Sequence, residues 1–179
     1  MSHMGITITK PKSQAVARRT TRPRKPSGAG VAKPCGEGVV RFCVQGLAPT
    51  ATTAEFTPAK LVKLLQVGLP FQELLDLQTR LGVPIERLAP MLGISKATFH
   101  RRKGGANKLP PAVSDRVVRY ARLLGQAAKV FEGLEVAKHW LNAPQFGLGG
   151  AVPLDFAKTE IGAREVEDLL GRIEFGVYS

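Results

Sequence analysis

The stretch Ile85 to Arg102, IERLAPMLGISKATFHRR, decides the fold. Ile85, Leu88, Ala89 and Leu92 recur at helical spacing and share one face. Gly93 follows at once, where a helix closing through a left-handed residue takes glycine. Ile94 points back inward, and Ser95 offers a side-chain oxygen to cap a second helix. Phe99 anchors that helix and leaves Lys96, Ala97, His100 and Arg101 outside. The small Ala89 suits two helices that cross closely. Together these features predict a helix-turn-helix whose second helix enters a DNA major groove. The competing reading is a plain helical hairpin with a solvated basic face. On the first reading Lys96, Ala97, His100 and Arg101 face the groove, and Arg102, Lys103 and Lys108 meet phosphates. Arg102 departs from the pattern, since such motifs often bury an aliphatic residue there.

Charge supports a polyanionic partner. The chain has 179 residues and a net charge of +12. Residues 1–50 hold nine Lys/Arg against one Glu, and residues 51–110 hold nine against four acids. Residues 111–179 hold eight against nine. The basic excess therefore sits on the arm and the helix-turn-helix, while the C-terminal part is balanced, as a protein-binding module would be.

Working toward the N-terminus, residues 1–30 are polar, basic and without apolar period, so disorder is expected. Met1 to Met4 reads as an expression remnant. RRTTRPRKP, Arg18 to Pro26, is either an arm along phosphate or minor groove or a solubilising tail. Val39 to Val44, VVRFCV, has strand composition; it either pairs with its counterpart in a dimer or packs as a linker. Cys35 and Cys43 have no histidine nearby. A zinc site needs about four ligands, so free thiols are expected. Thr57 and Pro58 open a helix with a Leu61, Leu64, Leu65 stripe. Pro70 to Leu81 makes another, with Phe71, Leu74, Leu75 and Leu81 inward.

Working toward the C-terminus, Pro110 and Pro111 open the longest helix, to about Phe131, with Val113, Val117, Tyr120, Ala121, Leu124 and Ala128 inward. Arg116, Arg119 and Arg122 on its flank read as a solvated face. Gly133 to Asn142 is a short helix, Pro153 to Phe156 a single turn, and Thr159 caps a last helix from Glu160. There Val166, Leu169, Leu170 and Ile173 form a stripe. Gly171 inside it suggests close approach of another backbone. The chain ends in an apolar tail, Phe175 to Ser179.

The region from Val130 onward resembles the toxin-binding domain of Xre/MbcA/ParS-type antitoxins. AKHWLNAP, GGAVPLD, TEIGAREVEDLLGRI and a final glycine–aromatic pattern carry the likeness. With the helix-turn-helix it covers roughly residues 58–179. The resemblance implies an all-α fold in three parts: a basic, largely flexible arm and linker (1–56), an Xre-like helix-turn-helix domain (57–128) and a toxin-binding domain (129–179). It also implies a type II antitoxin that masks a RES-domain, NAD-degrading toxin and represses its own operon as a homodimer on operator DNA. The dimer surface expected is Leu61, Leu64 and Leu65 with Val39 to Val44.

A toxin that uses NAD must hold an anionic pyrophosphate, and covering the pocket mouth would disable it. The covering residues expected are Pro153, Leu154, Glu160, Arg164, Arg172, Phe175, Tyr178 and Ser179; alternatively the tail packs on its own domain. The residues give an enzyme no support. There is no GxGxxG, phosphate-binding loop or paired metal motif, and Gly147 to Gly150 lacks the strand and lysine of a phosphate cradle. His100 and His139 lack an acid or nucleophile within helical reach. No cofactor is expected. No apolar run approaches the roughly 20 residues that cross a bilayer, so a cytoplasmic protein without membrane contact is expected. A free-standing helix-turn-helix regulator with a C-terminal dimerisation domain is the alternative function.

Overall fold

A computed structural model describes residues 38–45, 57–102 and 107–177. The expectations for the arm, Cys35, Lys103, Tyr178 and Ser179 lie outside these. The described residues form α-helices α1 (Val39–Gln45), α2 (Pro58–Val67), α3 (Phe71–Leu81), α4 (Ile85–Leu92), α5 (Lys96–Arg102), α6 (Pro111–Val130), α7 (Leu134–Asn142), α8 (Pro153–Phe156) and α9 (Glu160–Glu174). The fold is all-α, with a helix-turn-helix region followed by a small helical C-terminal region.

Local signals set most of the boundaries. Thr57 Oγ1 accepts from the Lys60 N–H, Ser95 Oγ from Thr98 and Thr159 Oγ1 from Gly162. Each satisfies an amide that has no partner inside its helix. Pro58 and Pro111 sit where a missing N–H costs nothing.

Helix α6 is the centre of the molecule. Val117, Tyr120, Ala121, Leu123 and Leu124 have no exposed surface. Each buried large aliphatic contributes roughly 1.5–3 kcal/mol. One core runs continuously from Val40 through Leu74, Leu88 and Leu124 to Leu141 and Leu170. On α3 the inward position after Leu74 is Leu77, fully buried, whereas Leu75 is only half-buried. Buried Ser114 ties the α2–α3 junction to α6. Its hydroxyl accepts from the Leu69 N–H at 2.9 Å and donates to the Pro110 carbonyl at 3.1 Å.

Three sequence expectations are corrected here. Val39 to Val44 is helix, not strand. The Glu73 carboxylate accepts the N–H groups of Val39 and Val40 at 3.1 and 2.8 Å, supplying a cap from α3. Val39 and Val40 are buried and Cys43 and Val44 pack on the core, so tertiary burial overrides the β-branched composition. Gly125 on α6 permits the approach, because a Cβ there would strike the Cys43 carbonyl. Burial pushes the Cys43 thiol up to about 11.

The flank of α6 is not a solvated face. Arg116 donates to the Leu92 carbonyl at 2.9 Å, closing the end of α4. Arg119, whose side chain is 13% exposed, pairs with Asp115 at 3.2 Å and with Glu160 of α9 at 3.0 Å. The second contact lies off the Nε–H axis, so it is an ion pair without an aligned hydrogen bond. Arg122 pairs with Glu167.

Gly171 is not a close-approach site either, since a Cβ there would meet nothing within 4 Å.

Candidate nucleic-acid interface and C-terminal surface

The turn between α4 and α5 is fixed at both ends. Gly93 adopts φ 69°, its N–H donates to the Pro90 carbonyl and the Ile94 N–H to the Ala89 carbonyl. These are the two reverse bonds of a Schellman closure. The Arg116 guanidinium passes directly beside Gly93, where any Cβ would collide with it. Phe99 is buried and its ring lies 5.3 Å from that of Phe71, which fixes the rotation of α5.

That rotation exposes Lys96, Ala97, His100 and Arg101 together. They are the first, second, fifth and sixth residues of α5, hence one face. Arg102 is half-buried and reaches the Lys108 carbonyl at 3.5 Å, the outer limit of a hydrogen bond. A half-buried arginine thus stands where an aliphatic residue is common. Lys108 is exposed, and its backbone is held by a short ladder: Leu109 N–H to the Leu69 carbonyl at 2.7 Å and Phe71 N–H to Asn107 at 3.0 Å. Lys96 does not stand free, because its ammonium lies 3.4 Å from Glu86 in the first turn of α4.

Sequence reasoning missed Arg87. It donates to Asn142 Oδ1 at 2.7 Å and to Asp155 Oδ2 at 3.0 Å, joining α4 to the end of α7 and to α8. Burial works against the Asp155 charge, yet hydrogen bonds from Lys158 and Arg87 hold its carboxyl below the usual value. A pairing across 55 and 68 residues leaves no local pattern to read.

The C-terminal residues named from sequence divide sharply. Pro153 and Leu154 are buried, because α8 packs against α7 and α9, so they support the surface and are not part of it. Glu160 and Arg164 are exposed and lie 3.5 Å apart. Arg172 is half-buried, and its Nε has no hydrogen-bond partner. Phe175 is 79% exposed.

The residue that sequence reasoning missed here is Phe146, which is completely exposed at 100%. It starts a one-turn 3-10 helix, Phe146–Leu148. Gln145 and Ala151 bridge across its base, and the Gln145 side-chain amide donates to the Trp140 and Ala143 carbonyls. Phe146, Leu169, Arg172, Ile173 and Val177 line an open groove between this turn and α9. No group of three or more metal-ligating side chains occurs among the described residues, and no helix there is long and apolar enough to cross a membrane.

Residues 60–122 match the family model for the antitoxin Xre-like helix-turn-helix domain. Residues 126–176 match that for the antitoxin Xre/MbcA/ParS C-terminal toxin-binding domain. The first match ends and the second begins inside α6, with three residues between them. An Antitoxin Xre of Yersinia enterocolitica is 31% identical over 120 residues, covering 66% of this chain and 81% of the relative. An Antitoxin Xre of Photorhabdus laumondii is 36% identical over 88 residues, 49% of this chain and 60% of that one. A Prs ADP-ribosylating antitoxin of Sphingobium is 25% identical over 146 residues, covering 75% and 92%.

Proposed function

The chain belongs to the Xre family of antitoxins, and from that premise we propose that it joins two binding tasks on one helical scaffold. It occupies operator DNA as a homodimer, repressing its own operon. It also covers a RES-domain toxin that degrades NAD, in the cytoplasm. It performs no chemistry of its own and needs no cofactor.

The observation that carries the reading is Phe146. A rigid turn stapled at its base holds a phenylalanine wholly in water, beside an apolar groove containing an unpartnered Arg172 Nε. Aromatic and arginine side chains anchor interfaces, and a held anchor loses little entropy on binding. The toxin face proposed is therefore Phe146 with Arg172, Phe175, Glu160 and Arg164. Tyr178 and Ser179 are proposed as further toxin contacts, while Pro153 and Leu154 are buried.

The DNA face proposed is Lys96, Ala97, His100 and Arg101 for base edges, with Arg102, Lys103 and Lys108 toward phosphates. Leu61, Leu64 and Leu65 are half-buried and Val39 and Val40 fully buried within one chain. The second copy is therefore placed against α2, where Val62 and Val67 are 52% and 61% exposed.

Three substitutions test both tasks. Phe146→Ala should leave folding and operator binding intact while abolishing copurification with the toxin and rescue of growth. Arg101→Ala should weaken operator binding by about 1–3 kcal/mol in a mobility-shift titration if it reads a base, with growth rescue unchanged. Full rescue by Phe146→Ala refutes the toxin face, and unchanged operator affinity in Arg101→Ala, His100→Ala refutes the DNA face. A monomeric mass by light scattering at micromolar concentration refutes the dimer.

A further inference from the structure

Glu86 is out of place on a surface meant for DNA. From Ile85 to Lys108 it is the only acid, against Arg87, Lys96, Arg101, Arg102, Lys103 and Lys108. It sits in the first turn of α4, half of its side chain exposed, with its carboxylate 3.4 Å from the ammonium of Lys96, the first residue of α5. Its own backbone N–H, the Lys96 ammonium and nearby His100 all favour its charged form.

The ion pair itself adds little stability, since exposed pairs of this kind are worth little, and what a first-turn carboxylate gains from the helix end does not need Lys96. A carboxylate beside a phosphate chain also weakens binding. The pairing's own effect lies in what it does to Lys96. An ammonium has three N–H donors. The Glu86 carboxylate, 3.4 Å away, stands on one side of the ammonium as an ion pair and offsets the charge that a phosphate would attract. The donors on its other side are enough to meet the O6 and N7 acceptors of a guanine edge.

We propose that Glu86 is a selectivity residue of the DNA-binding surface, withholding Lys96 from phosphate while leaving it able to read a base. Non-specific binding is almost wholly phosphate contact, so it loses the Lys96 contribution. Fitted binding, in which Lys96 points into the groove, keeps it. The ratio of specific to non-specific affinity rises although the total positive charge falls. The inference rests on the DNA-binding reading of α5 and adds to it a residue outside that helix.

The experiment uses the full-length protein and two duplexes, one selected from a random pool by the wild-type protein and one of scrambled sequence and equal composition. Glu86→Gln, Lys96→Gln and the double variant are titrated against both at several salt concentrations, with circular dichroism monitoring the fold. Glu86→Gln should bind the scrambled duplex about three- to tenfold more tightly at low salt. Its slope of log affinity against log salt should steepen by about 0.9, one added phosphate contact. Affinity for the selected duplex should change less than about twofold, the fitted complex gaining no phosphate contact. The gain on scrambled DNA should vanish in the Lys96→Gln background.

An unchanged scrambled affinity and slope overturns the proposal. So does a gain that persists without Lys96, which would be plain charge repulsion. So does lost affinity for the selected duplex alone, which would mean that Glu86 itself reads a base. Failure of the wild type to retard or select any duplex refutes the DNA-binding reading itself, and this inference with it.

Discussion

Replacing Gly93 with alanine tests the turn between α4 and α5 where it is most constrained. Two costs follow from the geometry. At φ 69° an alanine pays about 1–2 kcal/mol for the left-handed conformation. Its Cβ would also occupy the space of the Arg116 guanidinium, which donates to the Leu92 carbonyl at 2.9 Å. Displacing that charged donor forfeits about 1.5–3 kcal/mol. The sum is about 2.5–5 kcal/mol. At about 3 °C per kcal/mol for a unit of this size, the melting temperature falls by about 8–15 °C. Urea unfolding of Gly93→Ala, Arg116→Met and the pair separates the costs. In the Arg116→Met background the glycine substitution should cost only the conformational part, about 1–2 kcal/mol. A loss below about 0.5 kcal/mol in the wild-type background, or an identical loss in both, refutes the reasoning.

Other positions give further checks. Gly171→Ala should stabilise the protein by about 0.5–1 kcal/mol, since it lies inside α9 facing open space; Gly125→Ala should destabilise it by undocking α1, and urea midpoints measure both. Glu73 is held above the usual carboxyl value, burial outweighing the Val40 and Val39 N–H groups. Its contribution to stability is then fully present below the unfolded carboxyl's titration and is lost as pH rises through the folded value. The stability of wild type minus Glu73→Gln should therefore fall as pH rises above the ordinary carboxyl range, and a rise would show the two N–H bonds dominating. Burial pushes the Tyr120 phenol up to about 12, and its hydroxyl donates to the Leu154 carbonyl at 3.3 Å. Tyr120→Phe should cost about 0.5–1.5 kcal/mol near neutral pH. The tyrosine's titration contribution is fully present below pH about 10 and lost through about 12, so denaturation curves across that range should show a decline that the variant lacks.

What was legible in the sequence was what neighbours decide. Thr57, Ser95 and Thr159 cap as their positions suggest, Gly93 closes α4, and Phe99 is the anchor of α5. The caps and the closure are settled within four residues, and Phe99 stands out as the one large apolar side chain of its helix. What was illegible depends on partners far along the chain. Val39 to Val44 reads as strand until Glu73, more than thirty residues on, supplies its cap. Arg122 looks solvated until Glu167, 45 residues away, comes to meet it. Leu154 reads as surface because a four-residue turn has too little period to show which side is buried. Phe146 is hidden for the same reason, since three residues of 3-10 turn do not distinguish it from buried Leu148. Composition ranks apolar residues as core, so an aromatic held in water is the kind of residue that pattern reading misplaces.

The arginines of α6 have a consequence for how such a chain can change its length. Arg116, Arg119 and Arg122 stand three residues apart, the first holding α4 and the next two holding α9. An inserted residue between Arg116 and Arg119 advances everything beyond it by about 100° and 1.5 Å. Either α8 would lose its Arg87 link to α4, or Glu160 and Glu167 would lose their partners. Substitution in this helix is graded, but insertion is all or none. The stretch of α6 from Arg116 to Arg122 is thus a phased join, tolerant of new letters and closed to a change in their number.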